Sequence, residues 1–158
     1  MTRLKILTGT LFGAGLLPYG PGTWGSLVTL PIIYITSWFF PVFGLYVLLI
    51  ITISLSLWST AANVIKFGDD PPQFVMDEAA GQTLTFLIVG FHYSLPQDLA
   101  ILIAGFILFR FFDILKPLGI DAIQKMHGKF GVLADDLMAG VYALICLEIL
   151  HRVLPGLF

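Results

Sequence analysis

Charge is what this chain has least of. Asp, Glu, Lys and Arg make up 11% of its 158 residues, where a soluble domain carries about 25%. Too few polar groups remain to clothe a water-facing surface, which excludes an ordinary soluble globule. The single cysteine, Cys146, excludes a disulfide framework and a cysteine-rich metal site. Lying inside an apolar run, it reads as a small buried hydrophobe and not as a nucleophile. Eight Lys and Arg against ten Asp and Glu leave no basic surplus for nucleic acid. The glycines between 13 and 25 make no P-loop, because no Gly-Lys-Ser/Thr follows, and Gly13-x-Gly15 lacks the third dinucleotide glycine.

What is abundant is apolar. Hydrophobic residues reach 58% and the mean hydropathy is +0.94, the signature of an integral membrane protein. The length suits one domain, residues 1–158, and is short for two. Apolar runs at 27–40, with its helix starting near Trp24, then at 43–62, 83–95, 99–112 and 137–154 predict an all-α, polytopic helical bundle of about five segments. Residues 1–26 hold six glycines and two prolines, and read as a short amphipathic or re-entrant helix followed by a Gly/Pro loop. Leu95-Pro96-Gln97-Asp98 reads as the break between the third and fourth runs. With the N-terminus in the cytosol, seven basic residues fall on the cytosolic side and only Arg152 opposite, as the positive-inside rule requires. The same alternation gathers every carboxylate except Asp98 and Glu148 at that cytosolic face.

Three constellations stand there: Asp77-Glu78, then Arg110, Asp113 and Lys116, then Asp135-Asp136. Clustered carboxylates with cationic partners suit Mg²⁺ handling a phosphate, since Mg²⁺ prefers oxygen ligands and is commonly held by few carboxylates plus substrate. Arg110 offers a planar fork for phosphate oxygens and Lys116 a point charge. Helix capping is the competing account of the two acidic pairs, and a structural ion-pair triad that of Arg110, Asp113 and Lys116. Thr23 and Ser26, around Gly22 and Gly25, fit an anion cradle or an ordinary turn equally well. His127, in the Met126-His127-Gly128 turn, falls on the same side and is a candidate for a substrate or catalytic role. His92 and His151 fall opposite, as interfacial polar groups.

PGTWGS at 21–26, MDEAAG at 76–81, FRFFDILKP at 109–117 and GVLADDLMAG at 131–140 together resemble the phosphatidylglycerophosphatase A family. The resemblance implies a Mg²⁺-dependent lipid phosphatase of the bacterial inner membrane, with its site facing the cytosol. Its substrate would be the phospholipid phosphatidylglycerol phosphate, and no obligatory protein partner is implied. Asp77, Glu78, Asp113, Asp135 and Asp136 become candidate metal ligands or acid/base groups. Arg110 and Lys116 become candidate phosphate binders, with Thr23 and Ser26 as helpers. A catalytic set of Asp77, Glu78, Arg110, Asp113 and Asp136 follows. Without an Asp-x-Asp phosphoaspartate motif, the reading favours attack by a metal-activated water over an aspartyl-phosphate, and it fits one metal or two. A phosphatidyltransferase would show Asp-x₂-Asp-Gly-x₂-Ala-Arg, which is absent. A small transporter would place its charges near the bilayer midplane and not at segment ends.

Overall fold

The computed structural model describes residues 2–69, 71–117 and 129–154, and every regular element among them is helical. In chain order these are α1 (Thr2–Gly9), a 3₁₀ turn (Ala14–Leu16), α2 (Pro21–Phe39), α3 (Gly44–Phe67), α4 (Met76–Thr85), α5 (Leu95–Leu115) and α6 (Lys129–Val153). The all-α expectation holds.

Among the described helices, α3 alone is long and apolar enough to cross a membrane. The others fall short for local reasons. Helix α5 carries Asp98, Arg110 and Asp113, α6 carries charge at both ends, and α2 is diluted by Gly, Ser and Thr. The third apolar run, 83–95, corrects the sequence reading outright. Its helix ends at Thr85, and residues 86–94 are not helical. The buried carboxylate of Asp98 explains why. It accepts the His92 N–H at 2.7 Å and the Tyr34 hydroxyl at 3.2 Å, folding the 86–94 segment back over the start of α5. The break therefore lies before Leu95, and Pro96 occupies the first turn of α5, where its missing N–H costs nothing. His92 and His151 meet edge to face at this end, 5.4 Å apart.

The Gly/Pro loop expected to run up to a helix start near Trp24 ends three residues sooner. Pro21 opens α2, so Gly22, Thr23, Gly25 and Ser26 lie in its first turns and not in a loop.

Helix α3 is polar inside and apolar outside. Thr52, Ser56, Ser59, Thr60 and Asn63 are buried, whereas Val47, Ile50, Ile51 and Ile65 are exposed. Most of the hydroxyls bond within the helix, as where Thr60 donates to Ser56 O and Ser59 to Leu55 O, both at 2.6 Å, while that of Ser56 keeps no partner. This inversion suits a lipid solvent, where small polar residues let helices approach closely and apolar ones face the tails.

Helices α4 and α6 approach backbone to backbone. A Cβ on Gly140 would fall 2.5 Å from Gly81 O, and one on Gly81 would fall 2.5 Å from Asp136 O. Ala79, Ala80, Ala139 and Ala143 are fully or almost fully buried around this crossing. Backbone thus rests on backbone, one turn from each acidic pair.

Candidate metal centre

Each acidic pair has the same local build. Asp77 Oδ1 accepts the N–H of Glu78, and Asp135 Oδ1 accepts the N–H of Asp136, both at 3.1 Å. The first pair opens α4, where carboxylates complement the helix dipole. The second lies inside α6, which has no capping use for it. Capping therefore accounts for one pair and not for the other.

The α4–α6 crossing brings Asp77, Glu78 and Asp136 together, with a carboxylate oxygen of each within 4.8 Å of the others. Asp77 and Asp136 are buried, and Glu78 Oε2 is buried with no hydrogen-bond partner. Among the described residues none of the three forms an ion pair. Buried charges without a counter-charge cost several kcal/mol each, so this set calls for a cation. Oxygen-only donors fit a hard divalent ion such as Mg²⁺.

The remaining candidates are arranged differently. Arg110 Nη1 lies 2.6 Å from Asp113 Oδ2, but off the donor axis, so Nη1 and Nε keep no hydrogen-bond partner. Lys116 ends α5 in a left-handed conformation (φ 45°) and reaches across to Asp135 Oδ2 at 2.6 Å. Asp113 and Asp135 are thus neutralised, while the cage carboxylates are not. Gly22 packs against both Glu78 and Arg110, and a Cβ there would collide with Glu78 Oε1. The start of α2 therefore forms one wall. Ser26 is buried and donates to Gly22 O at 2.9 Å, so its hydroxyl proton is used within the helix. Thr23, half-buried, lies beside Gly20. The expectation for His127 lies outside the described residues.

The sequence reading expects no Cys-x₅-Arg nucleophile loop, although the spacing itself is present. Cys146 and Arg152 stand in Cys-x₅-Arg spacing, the pattern of a thiol phosphatase loop. Both lie on the continuous helix α6, and Arg152 is paired with Glu148 at 2.6 Å. No anion loop is formed there, and the helix is what excludes one.

Burial sets the electrostatics of the α4 pair. It pushes Asp77 well above the ordinary carboxylate range, with the neighbouring Glu78 adding to the shift. It raises Glu78 to about 7, against the lowering effects of its hydrogen bond with Asp77 and of Arg110. Between the ordinary range and about 7, the metal-free fold then binds more protons than the unfolded chain, so stability falls as pH rises. In detergent with EDTA, the melting temperature should be lower at pH 8 than at pH 5. A saturating divalent cation should remove most of that difference. A melting temperature that climbs from pH 5 to pH 8 in EDTA would contradict this account.

A sequence profile described as Phosphatidylglycerophosphatase A matches residues 7–151. The chain is 34% identical to a Bacteroides thetaiotaomicron protein provisionally named a phosphatidylinositol-3-phosphatase, over 96% of both chains. It is 35% identical to a protein of Escherichia coli named phosphatidylglycerophosphatase A, over 89% of this chain and 82% of that one. It is also 35% identical to a Haemophilus influenzae protein of the same name, over 85% of this chain and 80% of that one. No solved structure matches.

Proposed function

The chain belongs to the phosphatidylglycerophosphatase A family, and from that premise we propose that it hydrolyses the terminal phosphate of phosphatidylglycerol phosphate, with Mg²⁺ as cofactor. The observation that carries this reading is the juxtaposition of three un-neutralised carboxylates with the open donors of Arg110. One group demands a cation and the other suits an anion, and a metal–phosphate pair satisfies both.

Asp77, Glu78 and Asp136 hold the cation. Bound there, Mg²⁺ would supply Lewis-acid polarisation of a phosphoryl oxygen. Arg110 offers its guanidinium to the phosphate oxygens, and Asp113, 2.6 Å from Nη1, sets its direction. Lys116, tied to Asp135, adds positive charge at the end of α5. The wall at Gly22 keeps the pocket narrow. Glu78 gives one oxygen to the cage and keeps Oε2 for the proton of the attacking water. Water oxygen bonds to phosphorus, the glycerol oxygen departs and is protonated, and inorganic phosphate remains.

The site lies at the end of α3 that carries Lys66, and α1 with Arg3 and Lys5 packs at the same end through the bond from Asn63 to Lys5 O. That charge bias supports an arrangement in which α3 spans, α2, α5 and α6 span with it, and the site opens to the cytosol at the inner membrane of a bacterium.

Phosphatidylinositol 3-phosphate is the second substrate to consider, because the provisionally named relative aligns over 96% of both chains. Phosphate release should be measured from both lipids in mixed micelles, with Mg²⁺ and with EDTA. Release from phosphatidylglycerol phosphate, dependent on Mg²⁺, is the expected result. Faster release from the inositol lipid would reassign the substrate. Undiminished release after verified metal removal would overturn the mechanism.

A further inference from the structure

Between α1 and α2, residues 10–20 hold three large side chains in backbone conformations that such residues disfavour. Leu11, Phe12 and Tyr19 have φ of 45°, 55° and 61°, the left-handed region that crowds a Cβ. Leu11 turns inward and is 7% exposed. Phe12 and Tyr19 turn outward and are 75% and 95% exposed, with Leu16 and Leu17 also exposed between them. The backbone is held in this state from below. Phe12 N–H donates to Leu7 O at 2.8 Å, and Gly13 and Gly15 N–H both donate to Thr10 O at 3.0 Å. Val75 N–H donates to Gly9 O at 2.9 Å, and Gly15 sits against Gln73 O so tightly that no Cβ would fit. The base of the stretch is therefore clamped to the segment that leads into Asp77 and Glu78. Strained backbone and outward apolar side chains bring no packing gain inside the protein. Both are explained if the partner outside is apolar.

The stretch runs directly into Gly20, Pro21 and Gly22, and Gly22 is the wall against Glu78 and Arg110. The apolar display is thus one rim of the metal centre. Trp24 fixes its end by donating from Nε1 to Pro18 O at 3.2 Å. Its depth is that of a membrane boundary, because Asn63, close to the last turn of the membrane-crossing helix α3, donates to Lys5 O at 3.2 Å. Arg3, exposed on the preceding α1, supplies positive charge suited to anionic headgroups.

We propose that Phe12, Leu16, Leu17 and Tyr19 form a lip that enters the headgroup layer and grips the acyl-glycerol part of the lipid whose phosphate reaches the carboxylate cage. This rests on the lipid-phosphatase reading above and adds the residues that select a membrane-anchored substrate over a soluble one.

The test is a Phe12→Gly/Tyr19→Gly double variant, which removes the side chains and relieves the left-handed backbone. KM for a dioleoyl substrate in mixed micelles should rise at least about tenfold, since burying even one aromatic side chain is worth that in affinity. Its kcat should hold, a water-soluble short-chain analogue should be hydrolysed as by the parent, and the melting temperature should stay level or rise. An unchanged dioleoyl KM would overturn the lip. So would an equal loss on both substrates with a lower melting temperature, which would mark a structural role. If the parent chain hydrolyses neither lipid, the phosphatase reading fails, and the lip is decided by fluorescence. For this, Phe12→Cys in a Cys146→Ser background is labelled with NBD and placed in nanodiscs. Quenching by shallow doxyl lipids supports insertion, and quenching by aqueous iodide alone overturns it.

Discussion

An Asp136→Asn chain should lose about a thousandfold in turnover and yet melt higher than the parent in EDTA. The amide is nearly isosteric, so packing around α6 changes little. What changes is charge. Asp136 completes a cage whose oxygens lie within 4.8 Å of one another, and losing one preorganised electrostatic contact typically costs about 10²–10³ in rate. Losing a ligand also loosens the cation itself, which places the expected effect at the upper end. Without metal, however, the same carboxylate faces two others with no cation between them. Above the Glu78 value of about 7, where the cage is driven to ionise, two charges at that separation repel by about 3 kcal/mol at an effective dielectric near 20, so the comparison in EDTA is made at pH 8. Removing one relieves the fold, and a gain of a few degrees is expected. Mg²⁺ should raise the parent's melting temperature and leave the variant's almost unmoved. Turnover within tenfold of the parent would remove Asp136 from the cage, and a lower melting temperature in EDTA would show that its role is packing.

Gly140→Ala should damage both the fold and the site. At an open helical position alanine is worth about 1 kcal/mol over glycine. At Gly140 the new carbon would meet Gly81 O at 2.5 Å and Gly81 C at 3.2 Å, and backbone atoms have nowhere to retreat. Overpacking of this kind costs roughly 1–3 kcal/mol, and here α4 and α6 must move apart to accept it. Since the crossing lies one turn from both acidic pairs, the separation is passed on to Asp77, Glu78 and Asp136. Loss of both melting temperature and turnover is expected, with Gly140→Val worse. Gly90 provides the contrast, because a Cβ there meets nothing within 4 Å. Its replacement by alanine should leave activity intact. A Gly140→Ala chain as stable and active as the parent would show that the crossing has slack.

The all-helical bundle and the pairing of two acidic motifs in one cluster were legible in composition and spacing. Those signals are local or additive, and a scan along the chain finds them. The misread segments were decided by contacts distant in sequence. The run at 83–95 is apolar enough for a helix, but Asp98, itself held by Tyr34, draws His92 out of one, and no periodicity records that tie. The start of α2 was available and missed, since Pro at the first helical position is itself a start signal. The division of the five candidate ligands into three caged and two neutralised was half visible. Arg110 and Asp113 stand at i, i+3, but the partner that neutralises Asp135 comes from the end of another helix. The Cys-x₅-Arg spacing taught the converse: a pattern present in the letters carried no site, because one continuous helix runs through it.

The α4–α6 crossing also sets an order of events during biogenesis. Asp77 and Glu78 leave the ribosome long before Asp136, with the whole of α5 synthesised in between. A nascent chain halted after α5 therefore carries two cage carboxylates and Arg110, but neither Gly140 to seat α4 nor the third carboxylate. The cage closes only when the last helix docks, so on the proposed reading metal loading is the final step of assembly. On that reading a chain without α6 in place lacks the complete cage.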